Sequence, residues 1–536
     1  MPRRPIAVAV LAVSAALAAG PVAAADRYVA PAGSGALFVF TGHGWGHGVG
    51  MSQYGANGYA QHGWTAPQIL AHYYPGTTLG KAPVSQIRVL LADKKKALKL
   101  GSDVPFAVRD GAGRTHRVDG GVATLKVVQD QVAVGAQTLT PPLLFSGSAS
   151  SPLSLVRPYR GKILVDVVDG KLRAIDVVGL EQYLYGVVPS EMPSAWSSEA
   201  LKAQAVAARS YALATRQVGA PFDVYSDTRS QMYLGVEHEN PATSAAVNAT
   251  RGQVLLYGGK VAYTYFSSTS GGRTESYANW GGTAVPYLVS VADPYDTLSP
   301  YHDWGPTPIT GKAVVAALKV PGPVTDMTIT RNSSGRAGSV DVTGRTVTTV
   351  PATKLRGALG LRSTWFDVGV LSLAPPAPNS VVTYGSSVQL TSSVRGLSGV
   401  SLEQRPVGGT WSVVSTVAAG AAQLTVQPTA TTDYRIGGAD YAAGSIRIRV
   451  APQVTVSSAA AGVVSGSVQP VLPDAPVAVQ AQNPDLTWTD VATGAVAADG
   501  TFSIPVPLAS GAVYRLVVAP GKGYAPATTP AQTMVG

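Results

Sequence analysis

The chain has 536 residues, 46% of them hydrophobic, only 13% charged and none of them cysteine, so it can fill about three or four packed domains and is not a disordered polymer. Zero cysteines excludes disulfides, thiol nucleophiles and cysteine-ligated zinc together. The formal net charge of +10, part of it on Arg3 and Arg4, favours anionic partners such as a cell-wall polymer. The bases are too scattered for nucleic acid, and "DKKK" at 93–96 reads as a solvated turn.

Residues 1–25 read as a signal peptide: Arg3 and Arg4, the apolar run "IAVAVLAVSAALAAG", then "PVAAA" with cleavage after Ala25. The expected location is secreted or in the cell wall, with an uncleaved N-terminal anchor as the alternative. No later segment has the roughly 18 uninterrupted apolar residues that a membrane span needs. The stretch "FTGHGWGHGVGMSQYGANGYAQHG", 40–63, then sets His43, His47 and His62 among glycines. His43 and His47 are four apart, but glycines make that spacing too pliant for ligands on one helix face. A helix is expected through "YGANGYA". Another follows Thr65 as N-cap, and His62 and His72 read as packing or surface residues.

From Gln86 to Gly179, alternating runs such as "QIRVLLA", "ATLKVV" and "KILVDVV", separated by Asp-Gly and Gly-Gly turns, predict a β-meander. In "VVPSEMPSAW" a strand-like run ends at Glu191 and Pro193 breaks the backbone. A helix follows in "SSEALKAQAVAARSYALATR", with Ser197 as N-cap and Glu199 in its first turn. Glu191 is the acid to examine. Val187, Val188, Met192 and Trp196 would desolvate it and favour the neutral form, whereas the positive end of the following helix favours the charged form. The competing reading is a solvated loop acid or cap partner.

Asp227 in "YSDTRSQMY" and Glu275 in "GGRTES" are alternative second acids, or else exposed loop residues. Gln231 and Tyr233 in "SQMYLG", with Ser268, Ser270, Gly271, Gly272 and Thr274 in "SSTSGGRTES", offer what sugars or anions need; they are equally turn formers. Arg209, Ser210 and Tyr211 lie on the helix, where Arg209 meets a substrate carboxylate or braces the helix. Neither "GMS" nor "STSGG" is a nucleophile elbow.

A mixed stretch runs to about Val368, and "LSLAPPAPNS" predicts a Pro-rich linker at 371–383. Two all-β modules follow, 384–451 and 452–536. Trp411 and Tyr434 of the first recur as Trp488 and Tyr514 of the second, which predicts tandem immunoglobulin-like sandwiches acting as spacers or wall-adhesion modules.

The segments "LEQYLYGVVPSEMPSAWSSEALKAQAVAARSYALATR", "FDVYSDTRSQMYLGV", "AVNATRGQVLLYGGKVAYTYFSSTSGGRTES", "PYLVSVADPYD" and "LRGALGLRSTWFDV", in that order, resemble the SpoIID/LytB family of bacterial cell-wall proteins over nearly all of 86–368. The resemblance implies an α+β domain at 26–370 with a β-rich lobe. It also implies a lytic transglycosylase that cuts peptidoglycan between N-acetylmuramic acid and N-acetylglucosamine, with Glu191 as the one catalytic carboxylate. Substrate binding would fall to His47, Ser52, Gln53, Arg209, Ser210, Tyr211, Gln231, Tyr233, Ser268, Ser270, Gly271, Gly272 and Thr274. The alternative it implies is a non-catalytic wall-binding enhancer of a cell-wall amidase. Some members hold zinc through cysteines near the Ser/Gly loop; this chain has none, so no metal and no cofactor is expected. Most members carry the Gly/His motif at the end of the domain, and here it stands first, at 35–80. A circular permutation is therefore expected, with "ALFVF" beside "TWFDV". His47 would then orient Glu191, bind sugar, or hold the glycine loop.

Overall fold

The computed structural model describes residues 26–535 except 378, 379, 461, 508 and 522; the expected signal peptide lies outside the described residues. The architecture is mixed α and β. The alternating segment from Gln86 to Gly179 forms two antiparallel sheets. In one, Gln86–Lys95 lies between Lys171–Gly179 and the short parallel strand Val224–Tyr225. The other is built around Gly121–Val128. Inward-facing residues of both, including Val89, Val108, Leu125, Phe145, Ile163 and Leu172, share one core, as the two-residue period of a half-buried strand requires.

Five helices position the site: α1 (Gln53–Gln61), α2 (Ala66–Tyr73), α3 (Leu180–Glu191), α4 (Ser198–Thr215) and α5 (Pro241–Ala249). The run leading to Glu191, expected as strand-like, is the end of α3. Its β-branched Val187 and Val188 favour strand locally, but Tyr183, Leu184, Val187 and Val188 at helical spacing drive one face into the meander core. Pro189 stands inside the last turn, and the helix ends just after it. Helix α4 is buried on nearly every side. Ala200, Ala203, Ala205, Ala207, Ala208 and Ala212 leave it slim enough to be approached by α1, α2, α3 and α5. No helix among the described residues is long and apolar enough to cross a membrane.

The run "LFVF" begins the strand Leu37–His43, which pairs antiparallel with Phe366–Ala374 on one side and Asp303–Thr310 on the other. The register sets Leu37 opposite Leu371 and Phe40 opposite Val368. Phe38 and Phe40 enter a core with Met327, Val340, Leu355 and Val370. Leu37 and Val39 enter a second core with Leu371, Leu390, Tyr434 and Ile436. A strand buried on both faces reads as an unbroken apolar run, and each such Phe or Leu contributes about 1.5–3 kcal/mol.

The same sheet continues through Val388–Arg395 and Gly420–Val426. Leu371, expected to open a linker, is therefore inside a strand and fully buried. Residues 384–451 do not close their core alone: Ala30, Leu37, Val39 and Leu371 complete it. The last module packs two sheets around Val464, Phe502, Tyr514 and Leu516. The repeated residues have matching surroundings. Arg435 lies 3.9 Å over Trp411 and Arg515 lies 4.3 Å over Trp488, next to buried Tyr434 and Tyr514.

Candidate active site

Glu191 occupies the last turn of α3, half-buried, and its carboxyl is pushed up from 4.5 to about 7. Burial causes the rise, and an N–H bond from the Met232 backbone opposes it. The acid also lies at the negative end of α3, which disfavours its charged form. No neighbouring charged group is among the causes of the shift. A second catalytic carboxylate close by would raise it further.

Several expected residues gather here. Gln53, 8% exposed in the first turn of α1, donates from Nε2 to the Glu191 carbonyl at 2.8 Å. Tyr211 of α4 and Tyr183 of α3 are both pushed up in part by the charge of Glu191, after burial. The Tyr183 hydroxyl donates to Gln231 Oε1 at 3.3 Å, and the buried Gln231 Nε2 has no partner among the described residues. Tyr233 anchors the same loop from beneath: its hydroxyl donates to Asp176 at 2.8 Å, and the Leu234 N–H bonds the Gly186 carbonyl. Tyr233 is 2% exposed, so it holds the loop rather than facing a ligand. Tyr183 escaped notice in the sequence, although 183, 187 and 191 lie at i, i+4 steps along one helix face.

Other expected residues are structural. Arg209 is fully buried and pairs with Glu181 at 2.5 Å; it also bonds the Gln253 carbonyl. It braces α4, its buried guanidinium already paired. Ser210 donates to the Val206 carbonyl and accepts from the Leu255 N–H. Asp227 is ion-paired to Arg229 at 2.7 Å. Glu275, 2% exposed, accepts from Asn279, Asn332 and the Ser276 N–H, so it is buried rather than an exposed loop acid.

The Gly/His segment is stitched to the Ser/Gly loop. Met51 and Ser52 pair in parallel with Phe266 and Ser267, and Trp45 bridges Thr269. A Cβ on Gly44 would stand 2.7 Å from the Ser270 carbonyl oxygen, and one on Gly271 2.6 Å from the Gly44 nitrogen. Both have positive φ, so glycine is required twice over. The buried acids Asp293 and Asp296, in "VADPYD", tie the seam. Asp296 accepts from the Ser52 hydroxyl at 2.5 Å, from Thr269, and from the Ser270 and Gly271 N–H groups. Asp293 accepts from Ser270 and Tyr73; burial, then the charge of Asp296, pushes its carboxyl up. Ser52 also caps α1 by accepting the Gly55 N–H at 3.0 Å. Ser52, Ser270, Gly271 and Thr274, all buried, thus build the seam, while Ser268 and Gly272 remain half-buried. Both acids stand in "VADPYD", but residue type alone does not reveal their buried partners.

His47 does not touch Glu191. Its Nδ1 accepts the Val49 N–H at 3.0 Å, and its ring packs 5.0 Å from Trp280 and 5.9 Å from Tyr265. Burial, then Arg356 and Arg336, pushes it down from 6.5 to about 3, so it is neutral, with its proton on Nε2. It holds the glycine loop. Among the described residues, no group of three or more His, Asp or Glu could hold a metal.

A family model described as SpoIID, stage II sporulation protein, matches residues 168–257, the stretch from the last meander strand through the strand Gln253–Tyr257 that follows α5. An uncharacterized protein of Brachyspira hyodysenteriae is 44% identical over 136 residues, 25% of this chain and 37% of that protein. The amidase enhancer of Bacillus subtilis is 41% identical over 113 residues, 21% of this chain and 15% of its own length. Stage II sporulation protein D of the same organism is 35% identical over 147 residues, 24% of this chain and 43% of its own length. The chain therefore spans less than half the length of each of these relatives.

Proposed function

We propose that this chain, whose residues 168–257 match the SpoIID family model and which is similar to an amidase enhancer and a stage II sporulation protein D, is a SpoIID/LytB-type cell-wall protein and an exported lytic transglycosylase of peptidoglycan glycan strands. The observation that carries this reading is Glu191: a half-exposed carboxyl held near neutrality by burial, with one backbone donor and no second acid acting on it. In its protonated form, well populated near neutral pH, it would give its proton to the glycosidic oxygen as the bond from muramic acid C1 to that oxygen breaks. The resulting carboxylate would then take the proton of the muramic C6 hydroxyl while O6 bonds to C1 and closes a 1,6-anhydro ring. One carboxylate completes the cycle and no water is consumed. An ordinary glycosidase needs two carboxylates at a defined separation.

The family order of segments, with the Gly/His motif last, is reconciled with this chain by a circular permutation. What supports it is the pairing of Leu37–His43 with Phe366–Ala374, because a segment moved between chain ends can keep its contacts when those ends are neighbours. A second reading, a non-catalytic enhancer of a cell-wall amidase, is favoured by the amidase enhancer relative. The test is to incubate purified protein with glycan strands, with and without stem peptides, and identify products by mass spectrometry. Anhydro-muramic ends from wild type and none from Glu191→Gln support the enzyme. No cleavage, but faster release of stem peptides by an added amidase, supports the enhancer.

A further inference from the structure

Beside Glu191 the surface carries a run of half-exposed rings that no catalytic step above uses. Trp196 follows the acid in "EMPSAW" and packs 4.6 Å from Tyr54. Tyr54 is the residue after Gln53, the side chain that bonds the Glu191 carbonyl. The Tyr54 hydroxyl is pushed up first by burial and then by Tyr301. Tyr301 packs 4.4 Å from Trp45, edge to face. The Tyr54 and Trp45 N–H groups bond the carbonyls of the consecutive residues Ser268 and Thr269, which anchors both residues to the same stretch of the Ser/Gly loop. At the far end the Arg362 guanidinium lies 4.1 Å over Tyr301 and 4.9 Å over Trp45. Its carbonyl accepts the Gly46 N–H and Arg356 Nε, and it has no acidic partner among the described residues.

We propose that this track is an extended glycan-binding subsite, in which Trp196, Tyr54, Tyr301 and Trp45 stack the apolar faces of successive sugars leading from Glu191 and Arg362 takes the lactyl carboxylate of a muramic acid residue. It rests on the peptidoglycan reading above and specifies how that substrate is held. Half-exposed aromatic faces with a few convergent polar groups suit amphipathic sugar rings. A guanidinium held over two rings keeps its N–H edge free for a carboxylate, and muramic acid without its stem peptide supplies one along an otherwise uncharged strand.

The test measures binding in the Glu191→Gln background, so that nothing is cleaved. Two probes are compared by calorimetry: peptide-free peptidoglycan glycan strands, and tetra-N-acetylchitotetraose, which has no carboxylate. Arg362→Gln is expected to weaken the peptidoglycan strand about tenfold and chitotetraose less than about twofold. Trp45→Ala is expected to weaken both about tenfold, while Trp45→Tyr, which keeps a ring, retains most affinity even if the alanine variant is unstable. Equal or absent effects of Arg362→Gln on the two probes, or Trp45→Tyr and Trp45→Ala that both bind as the parent, would overturn the subsite. Cleavage is read separately with Glu191 intact. Charge-selective binding without anhydro products would therefore defeat the transglycosylase reading while the subsite stands; anhydro products without charge-selective binding would do the reverse.

Discussion

Two acidic centres, Glu191 and the pair Asp293–Asp296, show how hydrogen bonding separates a lightly bonded carboxyl from a saturated one. Burial pushes Glu191 and Asp293 in the same direction, each to about 7. Asp293 and Asp296 are fully buried and meet donors from Ser52, Tyr73, Thr269, Ser270 and Gly271. Those bonds lock two distant chain segments together and leave the acids no freedom to exchange protons with a ligand. Glu191 keeps one backbone donor, from Met232, and part of its surface. An acid that is desolvated but lightly bonded is suited to proton transfer, whereas a saturated one is a fastener.

The contrast can be broken most sharply at Glu191. Glu191→Gln is expected to lower the cleavage rate about 100- to 10,000-fold, the range for losing a general acid–base, and to raise, not lower, unfolding free energy at pH 8. Activity assays paired with denaturant unfolding check both halves. At the other centre, Asp296→Ala is expected to cost about 3 kcal/mol of stability, because it strands several buried donors; a fall of the urea midpoint at unchanged slope is the readout. Next in size is Gly55→Ala. By helix propensity alone it would stabilise α1 by about 1 kcal/mol. Its Cβ would stand 2.2 Å from the Tyr73 hydroxyl and 2.4 Å from Asp293 Oδ1, so a net loss of about 1–3 kcal/mol is expected by thermal unfolding.

The contrast also shows in pH dependence. Glu191 rises from 4.5 to about 7 on folding, so the stability tied to its neutral form is complete below 4.5 and is lost as pH rises through about 7. His47 falls from 6.5 to about 3; its contribution is complete above 6.5 and is lost as pH falls toward 3. The two oppose each other across the middle of the range. The stability difference between Glu191→Gln and wild type isolates the first, and it is expected to grow from pH 4.5 to about 7 and to level off on either side.

The meander and α4 were legible because period-two alternation and an alanine-rich, capped run are local signals. So was the neighbourhood of "ALFVF" and "TWFDV", which pair as Leu37–His43 with Phe366–Ala374. The end of α3 was not, because tertiary burial of Tyr183 and Val187 overrides the strand preference of "VVP". The linker at 371 failed for a related reason: Leu371 continues a sheet shared by two cores, and no local cue reveals that sharing. At the site, Glu191 stood out through its apolar neighbours. The bracing role of Arg209 and the seam around Asp296 depend on partners far along the chain, and residue type alone left Arg209 ambiguous.

If Glu191 alone carries the proposed cleavage, no water enters the product. Running the reaction on glycan strands in heavy-oxygen water and weighing the new muramic ends tests this. Anhydro ends free of the heavy isotope are expected; reducing ends that carry it would show hydrolysis and contradict the claim.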